Sequence, residues 1–292
     1  VDASYLTRGL SWEAEYVLSM SPRATDDSSL IGWITLKNAS GQSFENAHLA
    51  VVGGKVNVNR GEPVPVENPQ AAATATSAAA PPEPPAQRSQ LGEYYLYDIP
   101  GTTSLPHQSS KQVMFLSSSS LRPERKYCGD SRLAWRAGPL DNGASITDPA
   151  NVEYRFDISE KQGLGVPMPS GTIRVLAPVS HGQLHYVGEE HIEHTPRDET
   201  IKLRIGSVSD ILITRTLTSR TRLASLRRDK VRYTVRNGTN DPVTVRVREN
   251  TERLDKSSIP SSQPEAGNVV FDVTAAPGSP VSWDAEYTEE HW

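Results

Sequence analysis

The stretch VRYTVRNGTNDPVTVRVRE, residues 231–249, alternates apolar and polar side chains on either side of a short polar segment. That period of two is typical of half-buried β-strands, whose successive side chains point to opposite faces. The apolar positions form two sets: Val231, Tyr233 and Val235, then Val243, Val245 and Val247. The intervening NGTNDP, residues 237–242, contains the Asn, Gly, Asp and Pro that favour turns. The stretch therefore predicts two adjacent antiparallel strands joined as a hairpin.

The same period recurs along the chain. VEYRFDIS, residues 152–159, and TIKLRIG, residues 200–206, alternate in this way, and residues 32–54 resemble a second hairpin. Apolar residues make up only 36% of the chain and Pro and Gly are frequent, which favours many short strands with frequent turns. A short helix is predicted only around Leu223 to Arg228. We expect an all-β fold of antiparallel β-sandwich sheets arranged as two packed lobes.

A Pro/Ala-rich segment divides the first half of the chain. Residues 61–90 contain many prolines and almost no large apolar side chains, so we predict a disordered insertion. Residues 1–60 with 91–180 are predicted to form the first lobe, and residues 181–292 the second. LSWEAEY, at 10–16, resembles VSWDAEY, at 281–287, and without further copies the pair predicts two like strands rather than a duplicated domain.

Charge and cysteine content exclude few classes of protein. Net charge is −5, but residues 197–256 hold 15 Lys and Arg against 8 Asp and Glu. The acidic remainder and the lack of interleaved aromatic residues disfavour nucleic acid as a partner. The single Cys128 cannot form an intrachain disulfide and has no zinc-ligand spacing around it. No apolar run reaches the ~20 residues that a membrane span needs, and we interpret the chain, which begins with Val, as a fragment or processed product.

The predicted hairpin carries a group of arginines. If its valines are buried, four arginines project together from the outward face of adjacent strands: Arg232, Arg236, Arg246 and Arg248. Arginine suits carboxylates and phosphates, so this face is a candidate ligand-binding surface for an anionic glycan, a lipid headgroup or an acidic protein patch. Pairing with acidic neighbours in the sheet explains the same pattern.

A second candidate is GEEHIEHTPRDE, residues 188–199, where carboxylates surround two histidines. His191 and His194 are three residues apart, which places them on opposite faces of a strand, so they cannot bind one metal ion together. No metal or cofactor is expected. A surface strand and turn, or a catalytic site that combines His194 with Glu190 or Glu189, both fit the pattern. G-x-S-x-G and Walker motifs do not occur. Asn38 and Asn237 stand in N-x-[ST] sequons, which matter only in a host that glycosylates.

Several stretches together resemble the C-terminal domain of unknown function of the mucoidy-inhibitor-like bacterial proteins. The quoted segments are YLTRGLSWEAEYVLSM (5–20), YYLYDIPGTTSL (94–105), KQVMFL (111–116), GLGVPMPSGTIRVL (163–176), VGEEHIEHTPRDE (187–199) and NGTNDPVTVRVRE (237–249). The resemblance covers nearly the whole chain apart from 61–90. In the histidine stretch, the positions that match the family are Gly188, Glu189, Glu190, His194, Thr195, Pro196 and Glu199.

The resemblance implies a β-rich module that follows an N-terminal domain and a coiled coil. It also implies a periplasmic or extracellular location and an influence on exopolysaccharide, without an established reaction. The leading hypothesis is a non-catalytic cell-envelope interaction module that binds a protein partner or an anionic polysaccharide. Its alternative is a glycan-acting hydrolase or lyase that uses His194 with nearby carboxylates. A homo-oligomeric assembly is a third reading, with subunit contacts at Trp33, Trp135 and Trp292.

Overall fold

The computed structural model is all-β, which confirms the predicted fold class. It describes residues 7–23, 26–53, 87–91, 94–99, 101–130, 142–179, 183–223, 225–251, 253–265 and 267–290. Residues 61–86 of the predicted insertion, and Trp135 and Trp292, lie outside this part. The last residues of the predicted insertion belong to a strand, Gln87–Leu91.

The first ten strands are β1 (Leu10–Ser19), β2 (Ser28–Asn38), β3 (Phe44–Ala47), β4 (Ala50–Gly53), β5 (Gln87–Leu91), β6 (Tyr94–Asp98), β7 (Thr103–Leu105), β8 (Ser109–Leu121), β9 (Glu124–Asp130) and β10 (Ser145–Asp157). A 3₁₀ turn follows at Glu160–Gln162. The remaining strands are β11 (Gly171–Pro178), β12 (Leu184–Ile192), β13 (Thr200–Leu223), β14 (Leu226–Asn237), β15 (Val243–Asn250), β16 (Leu254–Ser257), β17 (Ser262–Glu265), β18 (Asn268–Ala275) and β19 (Val281–Glu290).

The chain divides into two compact units. Unit 1 takes residues 1–122, 157–186 and 191–199, and unit 2 takes 123–156, 187–190 and 200–292. These boundaries differ from the lobes expected from the sequence, because β9 is hydrogen-bonded to β15, more than a hundred residues later in the chain. The sequence position of a strand therefore does not reveal which unit it joins.

A five-stranded sheet has the order β12-β11-β1-β2-β8, and all of it except residues 187–190 of β12 belongs to unit 1. β1 and β2 are antiparallel, whereas β1 and β11 are parallel, so the sheet is not purely antiparallel as expected. The predicted alternation holds, since Tyr16, Leu18 and Ile34 are fully buried. Two smaller sheets complete the described strands of this unit: β3-β7 and β4-β6-β5.

Unit 2 is a nine-stranded sheet in the order β16-β19-β14-β13-β10-β9-β15-β18-β17. This sheet folds around one core, because residues from distant strands share a single buried cluster. Tyr233 of β14 stacks on Trp283 of β19 with ring centroids 4.8 Å apart, and Phe271 of β18 packs on Trp283 at 5.6 Å. The two halves of the sheet therefore face each other as a β-sandwich.

The two strands predicted within residues 231–249 are present, but the prediction that they pair with each other as a hairpin is wrong. β14 and β15 are strands, but β14 is bonded to β13 and β19, while β15 is bonded to β9 and β18. Their valines line the same core from different parts of the sheet. Alternation identifies the buried face of a strand, but it does not identify the strand's neighbours.

The predicted helix at Leu223 to Arg228 is also wrong. Leu223 is paired with Leu226, and Arg222 with Arg227, at the tip of the β13–β14 hairpin. The long flanking strands hold these residues in register, and this tertiary pairing overrides the weak local helix propensity.

Both units contain the same asparagine-anchored turn. Asn38 ends β2 and Asn237 ends β14, and both side chains are almost fully buried. In each case the amide nitrogen donates to the carbonyl four residues later and to a carbonyl of a strand that is not adjacent in the sheet, Leu105 of β7 or Ala275 of β18. The amide oxygen accepts from the N–H and the hydroxyl two residues later. The N-x-[ST] pattern is therefore a structural turn in this protein.

This turn shows which strands of the two units correspond. Leu10 of β1 is paired with Asn38, and Ile211 of β13 is paired with Asn237. β1 is thus the counterpart of β13, although its sequence resembles that of β19. The echo between residues 10–16 and 281–287 marks two like strands that occupy different places in their sheets.

Candidate functional site

The outward side of β14 carries a row of cations. Along this strand Val231, Tyr233 and Val235 are buried in the core, so the residues between them point away from it. The outward row contains Arg228, Lys230, Arg232, Thr234 and Arg236. In a strand these alternate positions are about 6.6–6.8 Å apart, so the row extends along most of the strand.

Acidic residues of β19 neutralise the middle of this row. Arg232 donates to Asp284 from Nε at 2.9 Å and from Nη2 at 3.1 Å. Lys230 Nζ lies 3.1 Å from Glu286 Oε1. The hydrogen bonds from Arg232 lower the pKa of Asp284 below its ordinary value, so this carboxylate stays charged in mild acid.

Arg228 and Arg236, at the two ends of the row, are exposed. Neither forms a hydrogen bond or ion pair within the described ranges of the chain. Removing both charges should therefore not disturb a folded contact. The row keeps two cations that are available to an anionic ligand.

Hydroxyl groups surround the row. Thr147 and Thr214 are linked at 2.8 Å between β10 and β13, and Ser145 and Thr216 are linked at 2.8 Å on the same strands. A third pair joins β14 to β19, where Thr234 and Ser282 lie 2.8 Å apart. We call this outward surface of β10, β13, β14 and β19 the β14 face. It combines free guanidinium groups with an array of hydroxyls.

The structure does not bring the four predicted arginines together. Arg232 and Arg236 lie on the β14 face, whereas Arg246 and Arg248 belong to β15, which is separated from β14 in the sheet by three strands, β13, β10 and β9. The error follows from the assumed hairpin, which made β14 and β15 neighbours. Ligand binding by these arginines stays a prediction.

Arg246 and Arg248 both have acidic partners. Arg246 donates to Asp272 from Nε and Nη2, each at 2.8 Å. Arg246 also lines a cleft of about 750 Å³, in which Arg125 and Lys126 are balanced by Glu124, Asp241 and Asp272. Arg248 is nearly buried and donates to Asp130 at 2.6 Å and to Glu153 at 3.3 Å. For Arg246 and Arg248 the structure therefore shows pairing with acidic neighbours, which was the other explanation of the arginine pattern in the sequence.

Cys128 is fully buried on β9. Burial raises the pKa of its thiol to about 11, and the nearby Glu153 carboxylate adds to the rise. The thiol is therefore protonated at neutral pH and is a poor nucleophile. Within the described residues, no three His, Cys, Asp or Glu side chains come together in a way that could hold a metal ion.

His194 lies beyond the end of β12 in an aromatic setting. Its ring stacks on Tyr95 with centroids 5.3 Å apart. A Cβ on Gly53 would lie 3.0 Å from the Tyr97 ring and 3.2 Å from the His194 ring, so glycine is what permits this close packing. The adjacent Thr195 exchanges two backbone hydrogen bonds with Met168, each 2.9 Å long. Two of the stretches that resemble the family therefore meet in unit 1.

Both ring nitrogens of His194 are buried, and neither has a hydrogen-bond partner in the described part of the chain. The catalytic alternative needs a carboxylate from Glu189, Glu190 or another acid beside this ring. No such contact is present among those residues, so the alternative gains no support and stays a prediction.

We expect His194 to make unit 1 less stable in acid. Burial lowers its pKa, so its contribution to stability is complete above about pH 6.5, the ordinary histidine value, and decreases as pH falls towards the lower folded-state pKa. Thermal unfolding at pH 7.5 and 5.5 should show a smaller acid-induced loss for His194→Phe than for the wild type. His191→Phe, at an exposed histidine, is the control. Equal losses in all three proteins would contradict this expectation.

Sequence reasoning missed the most buried charged pair of unit 2. Arg215 and Glu249 are 1% and 0% exposed, and Arg215 Nε donates to Glu249 Oε1 at 2.6 Å. Arg215 also donates to the backbone carbonyl of Gly129 at 3.1 Å. The sequence contained a signal for this burial. Arg215 lies on the same face of its strand as the apolar Ile213 and Leu217, and Glu249 lies on the same face as the valines of β15.

These features define an all-β protein of two units, with a polar, partly cationic sheet face as its candidate site. In the described part of the chain there is no helix with the length and hydrophobicity that a membrane crossing requires. The chain belongs to the family described as Domain of unknown function (DUF4139), whose model matches residues 1–291. No curated protein matches the sequence.

Proposed function

We propose that the chain is a non-catalytic interaction module of the bacterial cell envelope whose β14 face binds an anionic polysaccharide. The observation that carries this proposal is the pair of exposed cations, Arg228 and Arg236, on a surface of paired hydroxyls. Guanidinium groups bind carboxylates in a forked geometry, and serine and threonine hydroxyls both donate to and accept from sugar hydroxyls. An anionic polysaccharide carries both carboxylates and hydroxyl groups, so it matches this surface.

The charge of the face favours an anion. Four cations, Arg228, Lys230, Arg232 and Arg236, stand against Asp284 and Glu286. By contrast, the charges that line the cleft at Arg246 are balanced. A protein partner with an acidic patch is the alternative occupant of the β14 face.

The periplasmic or extracellular location, and an influence on exopolysaccharide, are parts of this proposal. Their support is the resemblance of the quoted segments to the mucoidy-inhibitor-like proteins. A binding role without catalysis agrees with the acid-paired arginines and the protonated Cys128 thiol.

The test is calorimetric titration of the 292-residue chain with an acidic bacterial exopolysaccharide at low and high salt. An exposed ionic contact contributes about 1 kcal/mol in water, so Arg228→Ser/Arg236→Ser should lower the affinity roughly thirtyfold at low salt. Binding by the wild type should weaken strongly as salt rises.

Lys126→Ser/Arg246→Ser is the matched control, because it removes two positive charges from the cleft on β9 and β15. The proposal expects this variant to bind as tightly as the wild type. Loss of binding only in the control would place the ligand in the cleft and overturn the β14 face. Absence of heat at both salt concentrations would overturn polysaccharide binding and leave the acidic protein patch as the partner to test.

A further inference from the structure

The cleft beside Arg246 lies where the parallel strands β9 and β15 begin their pairing. Their register starts at Tyr127 and Val245. Most of the residues that line the cleft precede these two positions in the chain. The volume of about 750 Å³ is typical of a site for a small ligand. All of the lining residues belong to unit 2, so the cleft is formed within one unit.

The walls of the cleft are held in place by the fold. Tyr127 and Val243 line it and also pack on the core of unit 2, and Pro242 adds a further apolar surface. The hydroxyl of Thr239 is engaged in the asparagine-anchored turn, and that of Thr244 is hydrogen-bonded to β18 at 3.0 Å. A cleft with fixed walls loses little conformational entropy when it binds a ligand.

Four of the six charged side chains that line the cleft neutralise each other. Arg246 donates to Asp272 from Nε and Nη2, each at 2.8 Å. Lys126 Nζ lies 3.1 Å from a carboxylate oxygen of Glu124. These two pairs leave one cation and one anion of the lining, Arg125 and Asp241, to be accounted for.

Arg125 and Asp241 are both exposed and have no ionic partner within the described ranges. The guanidinium of Arg125 lies 5.4 Å from the centre of the Tyr127 ring and forms a hydrogen bond with Tyr154. It has five N–H donors, so others are available to a ligand. Asp241 contributes its backbone carbonyl to the asparagine-anchored turn, which positions the residue and leaves its carboxylate available.

This arrangement favours a ligand that carries both charges. Asp241 repels an anion and Arg125 repels a cation, whereas a zwitterion compensates both side chains. The two side chains do not form an ion pair with each other, so the two charges of the ligand must also be separated. The ends of a short peptide meet this requirement, because at neutral pH the amino terminus is protonated and the carboxyl terminus is ionised.

We propose that the cleft on β9 and β15 binds a short peptide with free ends. The peptide carboxylate binds the Arg125 guanidinium, for which its geometry is suited, and the peptide ammonium group donates to the Asp241 carboxylate. Tyr127 and Val243 contact small side chains between the two ends. This inference goes beyond the polysaccharide proposed for the β14 face, since both the surface and the ligand differ.

NMR titration of the 292-residue chain at pH 7 with dialanine, trialanine and tetraalanine is the test. We expect at least one of these peptides to bind with a measurable dissociation constant. N-acetylation or C-amidation of that peptide should weaken binding about tenfold, because each removes one charge-assisted contact. Absence of binding by all three peptides overturns the proposal, and so does equal binding of the intact and the blocked peptide.

Two variants assign the ends of the peptide to their partners. Asp241→Asn should weaken the intact peptide about tenfold and leave the N-acetylated peptide unaffected, since that peptide has already lost the ammonium group. Arg125→Gln should do the same for the intact and the amidated peptide. Arg222→Gln removes an exposed cation outside the cleft and should bind like the wild type. Equal losses for Arg222→Gln and Arg125→Gln overturn the proposal.

Discussion

Arg215→Met is expected to destabilise unit 2 by about 3–5 kcal/mol, the cost of removing one partner from a buried ion pair. Glu249 is fully buried, and the hydrogen bond from Arg215 Nε is the ionic contact that compensates its charge. Asp148, another carboxylate, lies only 3.9 Å from Arg215 Nη1. Without the guanidinium, the Glu249 carboxylate and the Gly129 carbonyl both lose a donor. Equilibrium urea unfolding measures the loss.

The double variant Arg215→Met/Glu249→Leu is the informative control. Apolar residues of similar size can replace a buried ion pair at little cost, and in some proteins they increase stability. We therefore expect the double variant to recover most of the stability that Arg215→Met loses. Arg232→Met, at an exposed pair with Asp284, should cost far less than Arg215→Met, because solvent screens an exposed ion pair. A loss below 1 kcal/mol for Arg215→Met would show that the buried Glu249 carboxylate does not depend on Arg215 to compensate its charge.

The sequence allowed the strands to be predicted because their alternation is a local signal. The burial of Val231, Tyr233 and Val235 follows from a period of two, whatever the neighbouring strands are. The same period places Arg215 and Glu249 towards the core. Charged residues are normally assigned to the outside, so their common phase was not interpreted as a buried pair.

The neighbours of each strand could not be predicted in the same way. The turn residues 237–242 suit a hairpin, yet three other strands lie between β14 and β15 in one folded sheet. Arg246 and Arg248 were therefore grouped with Arg232 and Arg236 on a face that does not exist. The prediction that Arg232 and Arg236 are exposed was still correct, because both alternate with the buried residues of β14 whatever the neighbouring strands are.

The surroundings of His194 depend on long-range contacts as well. Tyr95 and Gly53 are about one hundred and one hundred and forty residues away in sequence, and no local pattern links them to the histidine. The asparagine turns could have been found, since Asn-x-Ser/Thr followed two residues later by Gln or Asp occurs after both strands. That spacing was interpreted only as a glycosylation sequon.

Asn237→Ala is expected to destabilise unit 2 by about 2–4 kcal/mol, and Asn38→Ala should have a similar effect on unit 1. The Asn237 amide donates to Asp241 O at 2.8 Å and to the buried Ala275 O at 3.0 Å. Asn38 makes the matching bonds to Gln42 O and Leu105 O, both at 2.8 Å. Alanine leaves these carbonyls without a donor, and an unsatisfied buried carbonyl costs about 1–3 kcal/mol.

Thr239→Val is the matched control for this turn, because it removes the hydroxyl that donates to Asn237 Oδ1 at 2.7 Å and keeps the asparagine. It should cost about 1 kcal/mol, the usual contribution of one hydrogen bond. Urea unfolding of all three variants measures the difference, and equal losses for Thr239→Val and Asn237→Ala would contradict the anchoring role of the amide. Since Asn38 and Asn237 are only 1% and 2% exposed and both amide nitrogens are engaged, neither sequon is accessible to a glycosyltransferase in the folded chain.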